Sequence, residues 1–186
     1  LVDRVEQAIT ELAQVCQRAP TVARLTLIGQ ACRQLAWLQR DPRARIEALV
    51  NMGNYLERAL EKAGEPDPRG FPLWAAAKVL ALSLDPTRGG DWQTSLADDL
   101  RRMIVLAEAR QALEPNFRNG VAAADNEIAL LLTQPAPALG SAPRIIERYQ
   151  EVFRRGASPR EIASVQEGLD FLIDLGDGLP DPVREA

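Results

Sequence analysis

Apolar positions along this chain recur every three or four residues, with polar residues between them, and almost nowhere do they alternate. The first spacing puts apolar side chains on one face of a helix; strict alternation would mark a half-buried strand. The pattern predicts helices at about 2–18, 21–39, 42–63, 72–84, 91–113, 117–133, 142–155 and 159–175. Between them stand residues that oppose a continuing helix: Pro20, Asp41-Pro42, "GEPDPRGFP" (64–72), "DPTRGGD" (85–91), Pro115 and "TQPAPALGSAP" (133–143). The clearest start is "SPRE", where Ser158 is the N-cap, Pro159 takes the first helical position and Glu161 can complete a capping box. From there Ile162, Val165, Leu169 and Leu172 share a face, whereas the tail "GDGLPDPVREA" has no period and reads as frayed or a linker.

Within "RLTLIGQACRQLAWL" (24–38) the apolar arc covers more than half of the helical wheel. It holds Leu25, Leu27, Ile28, Ala31, Cys32, Leu35, Ala36 and Leu38. Residues 46–60 repeat this with Ile46, Leu49, Val50, Met52, Gly53, Leu56, Ala59 and Leu60. A helix covered that widely has neighbours on two sides, as in a stacked array. Gly29, Cys32 and Ala36 form a stripe of small residues where one neighbour can come close. The reading is an all-α chain of antiparallel helix pairs, one helical-repeat domain over 1–175 followed by a tail at 176–186.

Certain residues strengthen this reading into a resemblance. "LIG" (27–29), "NYLERALEKAGEPDP" (54–68) and "EARQALEPN" (108–116) look like parts of tetratricopeptide helices, although the spacing departs from the 34-residue repeat. "RLTLIGQACRQLAWL", "RIEALVNMGNYLERAL", "FPLWAAAKVLALSL" (71–84) and "RYQEVFRRGASPREIASVQEGLDFL" (148–172) resemble bacterial tetratricopeptide-like regions. These in turn are related to the TRAF-binding central region of apoptosis-signal-regulating MAP kinase kinase kinases. The resemblance implies a tetratricopeptide-like α-solenoid and a non-catalytic regulatory or scaffold module of a signalling or defence protein. It also implies an adjoining effector domain, such as a caspase-like protease or a kinase, and brings no catalytic residue and no cofactor.

Composition narrows the chemistry. The chain has no histidine and a net charge of −4, which removes Ser-His-Asp and Cys-His catalysis and any global field for nucleic acid or anionic lipid. Lys78 interrupts the longest apolar run and "IALLL" is far too short to span a bilayer. No secretory signal leads the chain, which starts at Leu1 and reads as a piece of a longer, cytoplasmic protein. Cys16 and Cys32 fit neither a disulfide framework nor a zinc site. A nucleophilic Cys32 would need a base, and Arg24 or Arg33 cannot be one, so it reads as a small buried hydrophobe.

The carboxylates Asp98-Asp99 and Glu161/Glu167 read as solvated faces, and the glycines of "TRGGD" and "GASP" as loop punctuation without the lysine of a P-loop. Residues 142–160 carry five arginines against Glu147 and Glu151, whereas 161–186 carry seven acids against Arg184. The simplest reading pairs these two segments with each other; the other makes Arg144 to Arg155 a ridge for an acidic partner. On the wheel Trp37 falls with Gln30, Arg33 and Gln34 on the polar arc. It is either a binding anchor or a side chain packed on the next helix across "QRDPR". In tetratricopeptide-like arrays the first helix of each pair lines the concave side, which selects Gln30, Arg33, Trp37 and Lys78 as partner-binding candidates. Two other readings stand beside this one: a compact helical-bundle enzyme or small-ligand binder, favoured by a deep pocket of convergent carboxylates, and a structural homo-oligomerisation module.

Overall fold

The computed structural model describes residues 1–85, 92–133 and 142–176. Every regular element among them is a helix: α1 (Val2–Arg18), α2 (Val22–Leu38), α3 (Pro42–Ala63), α4 (Phe71–Leu84), α5 (Trp92–Leu113), α6 (Phe117–Leu132), α7 (Ala142–Arg154) and α8 (Pro159–Gly176). The chain is therefore all-α, with eight helices among the described residues, each end within two residues of its sequence-based place. The segments 86–91, 134–141 and 177–186 lie outside the described residues, and with them most of two expected loops, the expected tail and "TRGGD".

Local chemistry sets the helix starts. Thr21, Asp41 and Asn116 each accept a hydrogen bond from the backbone N–H three residues on, satisfying a donor that the first turn leaves open. The capping box at α8 is reciprocal: the Glu161 N–H donates to Ser158 Oγ at 3.3 Å, and the Ser158 N–H donates to the Glu161 carboxylate at 2.9 Å. The Ser158 hydroxyl, which donates to the same carboxylate at 2.7 Å, and then the Ser158 N–H favour its charged form and lower its pKa. α3 ends at Gly64, whose φ of 74° is open to glycine at little cost.

The chain forms two compact units, Leu1–Gly89 and Gly90–Ala186. In the first, α1 packs on α2, α2 on α3 and α3 on α4. Short connections make these neighbours antiparallel. Arg45 clamps the α2–α3 turn by donating from Nε and Nη2 to the Gln39 carbonyl, at 3.2 and 2.7 Å. The core is Leu25, Ile28, Cys32 and Ala36 of α2 against Leu49, Met52 and Leu56 of α3, all essentially removed from solvent. Gly29 is the point of closest approach: a Cβ there would lie 2.8 Å from Leu56 Cδ2. The small-residue stripe thus does what its composition predicts. One member of the expected apolar arc departs: Leu27 is 48% exposed.

In the second unit α5 packs on α6 through Ala107, Ala122 and Ala123, and α6 on α7 around Val121, Ala124, Ile145, Tyr149 and Val152. Phe117, Phe153 and, from α8, Val165 close over that cluster. α8 departs slightly from its predicted face. Its most buried side chains are Phe171 and Leu175, one helical turn apart, while Ile162, Val165, Leu169 and Leu172 are half-buried.

Candidate functional site

The four candidates Gln30, Arg33, Trp37 and Lys78 occupy different environments. Gln30 is exposed on α2. Arg33 and Trp37 are half-buried and engaged with other residues of the chain, so the tryptophan is not the open side chain its wheel position suggests. A wheel assigns angle only, and how far a neighbouring segment covers that angle is a tertiary matter.

Lys78 is held at the α3–α4 surface. Its ammonium stands 4.6 Å from the ring centroid of Trp74, one turn earlier on α4, and 3.6 Å from the Glu57 carboxylate on α3. Trp74 is half-buried and makes a tilted contact with Phe71, the ring centroids 4.9 Å apart. An aromatic pair thus carries a cation on its face and an acid beside the cation, with Lys78 41% exposed. Trp74 was absent from the sequence-based candidates because "FPLWAAAKVLALSL" reads as packing. Its signal was the Trp74/Lys78 spacing of four, which puts a cation and an indole side by side on one helix face.

The arginine-rich α7 makes a second polar centre. Arg148 pairs with Glu108 of α5, and its Nε lies 3.1 Å from Glu127 Oε2 of α6. Arg144 reaches the other Glu127 oxygen at 3.1 Å. Arg155, just past the end of α7, pairs with Glu151 in that helix's last turn. Arg144, Arg148 and Arg155 thus have acidic partners on α5, α6 and α7, outside the segment 161–186 that the simpler sequence reading pairs them with; Asp177, Asp181 and Glu185 of that segment lie outside the described residues. Positive charge at 142–160 was legible, but its partners Glu108 and Glu127 lie far away in sequence and in helices of mixed charge.

Next to this network a cavity of about 370 Å³ opens between α5, α6 and α7. Two carboxylates, Glu108 and Glu151, line it, each held by an arginine, Arg148 and Arg155. Both carboxylates are also open to solvent, Glu108 at 44% and Glu151 at 56%. The other carboxylates singled out in the sequence are also engaged: Asp98 with Arg101 at 2.6 Å, Asp99 with Arg102 at 2.9 Å, and Glu161 in its capping box. Gly156 of "GASP" turns the chain between α7 and α8 at φ 112°.

Cys16 and Cys32 are buried free thiols, 2% and 1% exposed. Burial pushes Cys32 up to about 11, the opposite of what a nucleophile needs. Among the described residues no group of three or more Cys, Asp and Glu side chains could hold a metal ion, and no helix is long and apolar enough to cross a membrane. Comparison of the chain with protein-family models, curated proteins and solved structures finds no match.

Proposed function

We propose that this chain is a non-catalytic protein–protein interaction module, a tetratricopeptide-like regulatory or scaffold region of a larger cytoplasmic signalling or defence protein. The observation that carries the reading is Trp74 at the α3–α4 surface, with the Lys78 ammonium on its face and Glu57 beside it. Tryptophan anchors flanked by charge are the composition of interface hot spots, because one large rigid side chain can be desolvated while the charges fix its register. Trp37 and Arg33 have the same spacing of four on α2, where both are half-buried. The resemblance to the TRAF-binding-like regions supports the same class of role and suggests a caspase-like or kinase effector as the partner. The buried, acid-weakened thiol and the paired carboxylates of the cavity weigh against the bundle-enzyme reading.

The test is a titration of this chain against the effector polypeptide encoded beside it, followed by calorimetry at two salt concentrations. Trp74→Ala and Trp37→Ala are expected to weaken binding at least about tenfold, since an anchoring tryptophan contributes ~2 kcal/mol or more. Lys78→Ala should mainly flatten the salt dependence. Normal binding by both tryptophan variants, with helicity unchanged, overturns the reading.

A further inference from the structure

The cavity between α5, α6 and α7 carries both signs of charge and two side-chain amides with bonding capacity to spare. Asn119, in the first turn of α6, is 5% exposed and lines it. Its Nδ2 donates to the Glu114 carbonyl at 2.9 Å, which fixes the orientation of the amide and leaves Oδ1 with no donor among the described residues. A buried acceptor in that state calls for a partner. Gln111 of α5 is the reverse case: its Oε1 accepts from the Asn116 N–H at 3.4 Å, and its Nε2 donates to none of the described residues. We propose that the cavity binds a small zwitterion, a free α-amino acid with an apolar side chain. The ammonium donates to Asn119 Oδ1, with Glu108 and Glu151 as its countercharges, and the carboxylate accepts from Arg155 and Gln111.

The charges of the lining cancel, Glu108 and Glu151 against Arg148 and Arg155. An ion of one sign would meet a like charge beside each partner, whereas a zwitterion engages both signs at once. The existing pairs yield to it at little cost. Arg155 and Glu151 are each 56% exposed, and an exposed pair of this kind contributes little. Arg148 keeps its place through Glu127, 3.1 Å from its Nε, whatever Glu108 does. Ala112, Ala123 and Val152 supply apolar lining for an aliphatic side chain. The volume of about 370 Å³ stands at the small end of the roughly 300–1,000 Å³ typical of small-molecule sites, which suits an amino acid better than a nucleotide. The site belongs to the second unit and stands independently of the Trp74 surface of the first.

Titration of the whole isotope-labelled chain with L-leucine, followed by NMR, tests the assignment. The side-chain amide resonances of Asn119 and Gln111 should shift and saturate, while that of Gln30 on α2 stays still. N-acetyl-L-leucine lacks the ammonium and L-leucinamide lacks the carboxylate, so each should bind at least about tenfold more weakly. Glu151→Gln and Arg155→Gln lie at exposed positions and should weaken L-leucine binding similarly at unchanged helicity. The proposal is overturned if Asn119 and Gln111 do not respond to L-leucine up to about 10 mM. It is also overturned if either blocked analogue binds as tightly as L-leucine, or if both variants bind it normally.

Discussion

Glu127 is the residue whose neighbours matter most to the charge balance of the second unit. Its side chain is 12% exposed and lies between two guanidinium groups, Arg144 and Arg148, each with a nitrogen 3.1 Å from one of its oxygens. Out of water a carboxylate loses hydration that only such partners restore, and deleting one partner costs more than the pair contributes. Arg148 is itself 24% exposed, so solvent softens the effect. Arg148→Ala should lower stability by about 2 kcal/mol in urea denaturation. Adding Glu127→Gln to that variant should recover part of the loss, because no buried charge then remains uncompensated. A double variant that is less stable than Arg148→Ala would mean that Glu127 is stabilised by other groups.

At the scale of the helix, three glycines separate by what stands opposite them. The Cβ position of Gly29 meets Leu56 Cγ and Cδ2 at 2.8 Å, and Leu56 is 3% exposed with little room to swing away. Gly120 is similar, with Val152 Cγ2 at 2.7 Å. Gly53 faces Ala77 Cβ at 3.9 Å, an ordinary contact. Alanine gains about 1 kcal/mol of helix propensity over glycine at any of them. Overpacking a closed core costs typically 1–3 kcal/mol. Thermal denaturation should therefore find Gly53→Ala more stable than the parent by up to ~1 kcal/mol. Gly29→Ala should be less stable by a similar amount, and Gly29→Leu worse still. A stabilised Gly29→Ala would place the α2–α3 contact elsewhere. The stripe Gly29, Cys32 and Ala36 was legible because small residues at helical spacing have few other uses. Leu56 as the side chain that fills the gap was not, since any leucine of residues 46–60 could have been it.

For the molecule as a whole, the division into Leu1–Gly89 and Gly90–Ala186 sets what folds together. The first unit has its own closed core in Leu25, Ile28, Leu49, Met52 and Leu56, with α1 laid on α2 and Gln39 Nε2 donating to Glu6 across that pair at 3.4 Å. A core of this kind, with its main contacts made between consecutive helices, needs few long-range closures. The fragment 1–89 should therefore show helical circular dichroism and a cooperative urea transition when expressed alone. A gradual transition without a baseline would mean that α1 to α4 need the rest of the chain.

The sequence by itself determined the class and the elements. Helical periodicity, proline and glycine breaks and the Ser158/Glu161 cap are local properties of the backbone, so all eight helices fell within two residues of their expected ends. It also determined what chemistry the chain lacks, since no fold can supply a histidine. Tertiary structure decided which charges meet. Arg148 joins Glu108 and Glu127, and Tyr149 joins Asp125, across 21 residues or more. It decided, too, that Trp37 is half-covered and that the aromatic surface at Lys78 belongs to Trp74. The physical reason is one of range. Periodicity fixes the direction in which a side chain leaves its own helix, whereas burial and pairing depend on whatever other helix the packing brings to that direction.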